Sequence, residues 1–400
     1  MKKIILDYKK MLNKRYVKIY LLYFGFFIAN EPLEQLMALF LAEKGLSAQH
    51  YSYVLSAFNA CCIVVPGVIG FLAVRYSAYA IADIGLLIGV VVPFILAKTS
   101  RPGLLTLLAV ILLLVRTVFN NSIGNDINYE IDDNDRGKYF AVRDLFLYGG
   151  CSAGLFIGGI ITRKESVEAL YSGWGLLYII PLIILFIIRK GSIREKSKKE
   201  TCDKEKISAR DYAELLKDKK VLAYMAVNLF ISIYGIAISY LPLYAVTIGL
   251  TVSNVLSMNA AVLMFNALMA LVVSHWGDLK GRKGFYVFDI AFDCIPALLF
   301  MVSKNIYVFG FAIILTMIKD MFAAVSFAYF YDIFPDERGT ALLGLIASID
   351  SIVGILMPIL IGYIWKISPQ LVFGLAALGC IIAALIAVLF LPNVGKDNSD

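Results

Sequence analysis

Residues 70–75 read Gly-Phe-Leu-Ala-Val-Arg, and residues 278–283 read Asp-Leu-Lys-Gly-Arg-Lys. Both are partial copies of one pattern, Gly-x-Leu-Ala-Asp-Arg-x-Gly-Arg-Lys. The first copy keeps the front of the pattern without its acid, and the second keeps the acid and the basic tail. The copies stand far apart in the chain, which indicates an internal duplication.

The composition is that of a membrane protein. Hydrophobic residues make up 60% of the 400 residues and charged residues only 17%, whereas soluble domains average roughly 45–50% apolar and about 25% charged residues. Most of the 37 Lys and Arg lie in loops that the topology described below assigns to one side of the membrane. The net charge of +7 therefore reflects topology, and we expect no nucleic-acid partner.

Twelve apolar segments are long enough to cross a bilayer, which takes roughly 20 residues per helix. The predicted spans are residues 16–41, 50–73, 77–98, 102–126, 138–162, 172–190, 219–246, 253–275, 284–303, 305–331, 339–365 and 370–392. A polar segment divides them six and six. The division predicts an N-terminal bundle at residues 1–190, a cytoplasmic linker at 191–218 and a C-terminal bundle at 219–400.

The basic residues favour a cytoplasmic location for both termini, because the N-terminus, the central linker and the C-terminus lie on the Lys- and Arg-rich side. The basic N-terminus is not read as a cleaved signal, since the first span is too long for a signal core. We expect a monomeric, multi-pass protein of a bacterial plasma membrane.

The duplication is visible at two further places. Gly-Leu-Ser at residues 45–47 returns as Gly-Leu-Thr at 249–251, and Asp-Arg-Gly at 135–137 returns as Glu-Arg-Gly at 337–339. The offsets are 204 residues (45 to 249) and 202 residues (135 to 337). A nearly constant offset predicts parallel repeats related by an axis along the membrane normal, with any binding site between them.

With the two partial motifs between apolar segments, this organisation resembles the major facilitator superfamily of secondary transporters. The resemblance implies an all-α, polytopic membrane fold of 12 transmembrane helices, in two pseudo-symmetric bundles that rock about a central site. It also implies a small-molecule substrate and the lipid bilayer as partners. The sequence has no Walker-type glycine loop and no His-Glu-x-x-His, so we expect no enzyme activity, no cofactor and no metal.

In that family the acid and basic residues of the motif lock the two halves together on the cytoplasmic side. By resemblance Asp278 is the latch acid, placed against the start of the fifth span, where a helix N-terminus favours negative charge. In the first copy Val74 replaces the acid and Ser77 replaces a glycine. The resemblance assigns gating to Arg75, Arg136, Asp278, Gly281, Arg282, Lys283 and Arg338. The alternative is that the basic residues are topology signals only.

Charged residues inside predicted spans point to function, because each costs several kcal/mol at mid-bilayer unless it has a partner or faces water. Glu31 and Glu34 of the first span share a helix face, and Pro32 can kink the helix between them. Burial disfavours an ionised carboxyl group and a nearby cation favours it, so such groups can load and release protons. We predict proton coupling at both glutamates; a structural ion pair is the alternative.

The fourth span contains Leu-x-x-x-Arg at residues 112–116, followed one turn later by Asn120. This resembles the family's antiporter motif, in which the arginine lies beside the substrate and proton path. The resemblance makes Arg116 and Asn120 substrate or charge-partner residues, and a glutamate of the first span is the natural partner of Arg116.

Further candidates lie in the C-terminal half. The repeat places Lys319 of the tenth span near the position that corresponds to Arg116, and a cation from each half would suit a carboxylate or phosphate. Asp320 is adjacent, so only one of the two can point squarely inward, and a buried structural pair is the alternative. Asn228 and Tyr234 of the seventh span are candidate wall residues.

The fifth span carries Gly150, Gly154, Gly158 and Gly159, which resemble the family's antiporter signature with Leu155 in place of its proline. Glycines at this spacing also allow close helix packing in any membrane bundle. We therefore predict a proton-coupled antiporter that exports a small amphiphilic drug or a charged or zwitterionic metabolite by alternating access. The alternatives are a proton-coupled uptake symporter for an organic anion, coupling to sodium, or a sensor with a degenerate transporter fold.

Overall fold

The computed structural model describes residues 12–128, 133–192, 217–280, 282–320, 326, 329–330, 332–334 and 337–393. Its regular elements are helices, and the described residues contain no β-strand. The N-terminal half forms helices α1 (Lys14–Gln35), α2 (Met37–Glu43), α3 (Ala48–Arg75), α4 (Ala78–Lys98), α5 (Pro102–Asn128), α6 (Asp133–Ile161), α7 (Val167–Trp174), a 3-10 turn (Gly175–Tyr178) and α8 (Ile179–Ser192).

The C-terminal half repeats the pattern of long helices with one broken element near its start. It forms α9 (Lys219–Ile238), α10 (Leu241–Thr247), α11 (Val252–Lys280), α12 (Arg282–Val302), α13 (Ile306–Asp320), α14 (Glu337–Ile367) and α15 (Pro369–Phe390). The predicted first span corresponds to α1 and α2, and the predicted seventh to α9 and α10. Most of the predicted linker, residues 193–216, lies outside the described residues.

Nine helical segments among the described residues are long and apolar enough to cross a membrane, and two shorter apolar helices accompany them. Large apolar side chains such as Phe71, Phe186 and Leu389 are more than 60% exposed on these helices. Such side chains would be unfavourable in water and favourable against lipid tails. The count of twelve spans remains a prediction.

The described helices form two compact units. The first comprises Met1–Lys196 together with Leu250–Ala267, and the second comprises Ser197–Gly249 together with Leu268–Asp400. The first part of α11 therefore packs with the N-terminal helices, which the predicted bundle boundaries did not include. In the second unit α15 packs along both α9 and α12, and α14 packs along α9.

Within the first unit α1 packs closely along α6. A Cβ atom at Gly150 or at Gly154 would lie 2.5 Å from the backbone oxygen of Phe24 or of Ile28, respectively. Only glycine permits this approach, since real Cβ contacts do not fall below about 3 Å. Gly158 has ordinary contacts with Pro32 of α1, whereas Gly159 faces Ser253 and Ser257 of α11.

The repeated Gly-Leu-Ser and Gly-Leu-Thr segments adopt one conformation. Gly45 ends α2 with φ +80°, and Gly249 ends α10 with φ +93°. Both values lie in the left-handed region that glycine adopts without steric cost. The two copies therefore terminate equivalent short helices in the same way.

Both partial motifs extend further into helices than predicted. Residues 70–75 belong to α3, which ends at Arg75 where the next turn places Ser77 at φ +107°. Asp278 lies within α11, which continues five residues beyond its predicted end to Lys280. The apolar pattern set the predicted boundaries, but charged residues can continue a helix past the hydrocarbon.

Candidate functional site

Helix α1 presents two acidic residues on one face just before it ends. Glu31 and Glu34 are separated by one turn, and the helix is interrupted at Leu36, whose backbone has φ −91° and ψ 0°. Pro32 has no N–H group and leaves one carbonyl of the preceding turn without its helical partner. The interruption comes one turn after Pro32, so the two carboxylates lie at the weakened end of α1.

Arg116 of α5 contacts both carboxylates. Its Nη1 atom lies 2.9 Å from Oε2 of Glu34 and 3.5 Å from Oε2 of Glu31. The guanidinium carbon Cζ also stands 5.1 Å from the centre of the Phe27 ring, within the range of a cation–π contact. We call Glu31, Glu34 and Arg116 the Glu–Arg cluster.

Neutral side chains hold the two carboxylates in place. Asn30 Nδ2 donates to Glu34 Oε2 at 2.8 Å, and Asn30 Oδ1 accepts a hydrogen bond from Tyr178 at 2.8 Å. Gln35 Nε2 donates to Glu31 Oε1 at 3.1 Å, and the Cys151 thiol donates to Glu31 Oε2 at 3.5 Å. These bonds satisfy much of the acceptor capacity of both acids.

The two acids differ in access. The Glu31 side chain is 7% exposed, whereas those of Glu34 and Arg116 are 33% and 37% exposed. The Glu34–Arg116 contact is therefore open on one side, and Glu31 is enclosed behind it. If all three groups are ionised, the cluster carries a net charge of −1.

Helix α6 carries an arginine near α1 that was not among the predicted site residues. Arg143 Nη2 lies 2.6 Å from Asp144 Oδ1, and its Cζ atom stands 5.5 Å from the ring centre of Tyr23. The rings of Tyr23 and Phe27 are nearly parallel, with centres 6.4 Å apart. Two guanidinium groups thus lie against successive aromatic rings of α1. An adjacent Arg-Asp pair inside the fifth predicted span was the available signal.

The predicted wall residues of the seventh span lie on α9. Asn228 is half-buried, and its amide donates to the Tyr224 carbonyl at 2.9 Å. Tyr234 is only 4% exposed and belongs to the core of the second unit. One turn after Asn228, the Ser232 hydroxyl contacts Asp350 of α14 at 3.0 Å.

Three of the predicted gating residues have described side chains. Arg282 Nη1 lies 2.6 Å from Asp332 Oδ1. Lys283 Nζ donates to the carbonyl of Leu391 at 2.7 Å and to that of Val388 at 3.3 Å, so it caps the end of α15 rather than meeting an acid. Arg75 is exposed at the end of α3.

Other predicted site residues are placed less completely. Asn120 is exposed on α5. For five of the remaining residues the structure does not describe the side chains: Arg136, Asp278, Lys319, Asp320 and Arg338. Gly281 lies outside the described residues altogether. Among the described residues no group of three or more His, Cys, Asp or Glu could hold a metal ion.

A bundle of long, lipid-compatible helices with an ion-paired cluster inside is typical of a membrane transporter. The family model of the major facilitator superfamily matches residues 19–288 and 257–400. The chain belongs to this superfamily, and is therefore a multi-pass secondary transporter of small molecules rather than an enzyme. The predicted all-α membrane fold is confirmed.

Solved structures share the fold at low sequence identity. The nucleoside transporter NupG is 15% identical, with a TM-score of 0.70 over 94% of this chain and 99% of that one. A bacterial homologue of the human lysosomal transporter Spinster, in an inward-facing and unoccupied conformation, is 13% identical, with a TM-score of 0.65 over 94% of each chain. No curated protein sequence matches the chain.

Proposed function

We propose that the protein is a proton-coupled antiporter that exports a small amphiphilic drug or a charged or zwitterionic metabolite by alternating access. The observation that carries the proposal is the Glu–Arg cluster, in which one cation serves two intramembrane carboxylates. Protonation of a carboxylate removes its negative charge, and binding of a charged substrate adds charge to the site. Both events change the same ion pairs. Proton and substrate therefore compete.

The open contact is the place where this competition occurs. Glu34 Oε2 accepts from both Arg116 and Asn30, and a proton on this carboxyl group would weaken both bonds. The net charge of −1 favours a cationic group over an anionic one, while the exposed face of Arg116 can receive the anionic end of a zwitterion. Phe27 beneath Arg116 adds an apolar surface, which suits an amphiphile.

Everted membrane vesicles with an acidified lumen provide the test. The probes are ethidium as an amphiphilic cation, a zwitterionic dipeptide, succinate as an organic anion, and uridine because of the fold shared with a nucleoside transporter. We expect addition of an exported probe outside the vesicles to dissipate the proton gradient. Glu34→Gln should abolish this dissipation, and Glu168→Gln, a half-exposed glutamate paired with Lys44 outside the cluster, should leave it unchanged.

The runner-up is uptake of an organic anion by proton symport. The observation in its favour is the 37% exposure of Arg116, which offers a cation to a carboxylate substrate. A symporter would dissipate the gradient only when succinate is loaded inside the vesicles. Dissipation by an external probe contradicts symport, and dissipation by internal succinate alone contradicts antiport. If no probe moves from either side, proton-coupled transport of these four substrate classes is wrong.

A further inference from the structure

Another carboxylate inside a predicted span lies far from the Glu–Arg cluster in the chain, in the second unit. Asp350 is near the middle of the predicted eleventh span and is half-buried on α14. In the described part of the structure the Ser232 hydroxyl is the only hydrogen-bond partner of its carboxyl group. An ionised carboxylate with a single neutral partner is costly in a membrane span.

Other ionisable side chains do not compensate this charge among the described residues. Helix α9, which packs on α14, brings Tyr224 near Asp350, and its Lys219 and Lys220 stand about three turns from Ser232. Helix α15 offers only Cys380 as an ionisable side chain. On α14 itself the described ionisable side chains beyond Asp350 are Tyr363 and Lys366, about four turns away.

The hydrogen bonds around Ser232 are one proton short when Asp350 is ionised. Ser232 Oγ lies 2.9 Å from the Asn228 carbonyl oxygen and 3.0 Å from Asp350 Oδ1. A serine hydroxyl has one proton to donate and two lone pairs to accept with. It can therefore serve only one of these acceptors fully.

Protonation of Asp350 completes the network. A proton taken from water binds Oδ1, and the new O–H group donates to Ser232 Oγ. The Ser232 proton then points to the Asn228 carbonyl, so both short contacts become full hydrogen bonds without movement of a helix. No other bond forms or breaks in this step.

We propose that Asp350 is a second proton-binding site, built by Ser232 and the Asn228 carbonyl and independent of the Glu–Arg cluster. This inference rests on the proton coupling proposed above and adds a proton carrier in the other unit. Alternating access would then involve titrating acids in both units.

Infrared spectroscopy of the purified protein in lipid tests the proposal without a substrate. The protonated-carboxyl stretching band is recorded as the pH is lowered. We expect the wild type to show a titrating component that Asp350→Asn loses and that the double variant Glu31→Gln/Glu34→Gln retains. Asp83→Asn, which removes an intramembrane acid paired with Arg189 at 3.5 Å, should keep it. Gel filtration of each variant shows whether it is folded, and Asp350→Glu should restore the component at a shifted position.

A second pair of variants tests the role of the hydroxyl group. Ser232→Ala should shift the Asp350 band because the carboxyl group loses its acceptor, and Ser239→Ala at the C-cap of the same helix should not. The proposal is overturned if wild type and Asp350→Asn give the same spectra, if sodium suppresses the component at constant pH, or if the double glutamate variant removes it. The spectra do not depend on transport, so a failure of the vesicle assay with the component intact contradicts the proposed function alone.

Discussion

One residue with unfavourable backbone geometry stands at the turn that follows the first partial motif. Ser77 is the N-cap of α4, has φ +107° and ψ 130°, and makes no side-chain cap hydrogen bond. Backbone of this kind costs a non-glycine residue roughly 1–3 kcal/mol. The family motif has glycine at this position, and glycine adopts positive φ without steric cost. This chain has serine in the same conformation.

Ser77→Gly should therefore raise the stability of the protein by about 1 kcal/mol or more, measured as the midpoint of thermal unfolding in detergent. Ser166→Gly is the matched control, because Ser166 is also an N-cap but has φ −70° and accepts from Ala169 N–H. That change should lower stability by a few tenths of a kcal/mol. Equal shifts of the same sign in both variants would contradict the backbone argument.

The two glutamates of the cluster should differ in chemical access. Glu34 is 33% exposed and Glu31 only 7%, so a carboxyl-reactive carbodiimide should modify Glu34 faster. Peptide mass spectrometry after brief labelling measures both sites in one sample. Preferential labelling of Glu31 would show that the open side of the cluster is assigned to the wrong acid.

At the scale of elements, the contact between α1 and α6 depends on two glycines. Gly154→Ala would place a methyl group 2.5 Å from the Ile28 carbonyl oxygen, so α1 and α6 must separate. Overpacking of this kind costs about 1–3 kcal/mol or more. The expected result is a clear fall in the unfolding midpoint, and a loss of transport because α1 carries both glutamates.

Gly67→Ala is the control for that experiment. Gly67 lies in α3, and an added Cβ would meet nothing within 4 Å, so alanine should be neutral or raise stability by up to about 1 kcal/mol. A similar loss in both variants would mean that alanine at position 154 acts through something other than the helix contact.

The repeated turns give a further pair. Gly45→Ala and Gly249→Ala should each lower stability by about 1–2 kcal/mol, because both residues have positive φ. Thermal unfolding measures both variants, and a large loss in one with none in the other would contradict the equivalence of the two turns.

Local rules predicted much of the secondary structure and one part of the site. Long apolar runs predicted most long helices, and turn glycines at a constant offset predicted equivalent positions. The sequence predicted that Arg116 pairs with a glutamate of the first span, and Glu31 and Glu34 of α1 contact it in the structure. Breaks such as Leu36 were not predicted, because they depend on how a weakened helix end packs rather than on the residue at the break.

At the scale of the whole molecule, the sequence indicated the superfamily through its duplication, and the family match shows it. Other contacts between segments far apart in the chain were not predicted from the sequence. Lys283 carries the charge expected of a gating residue, yet it binds the carbonyls that end α15. The start of α11, residues 252–267, belongs to the first unit. Predicting such contacts requires knowing which helices meet in the fold, and the periodicity of the sequence does not contain that information.

If substrate and proton compete at the Glu–Arg cluster, substrate binding must displace protons, and this can be measured on the purified protein. The probe that responds in the vesicle assay is added to unbuffered, detergent-solubilised protein with a pH indicator. We expect binding to release protons from the wild type and from Glu168→Gln, and none from Glu34→Gln although the probe still binds. Equal proton release from wild type and Glu34→Gln would show that substrate and proton do not compete at Glu34.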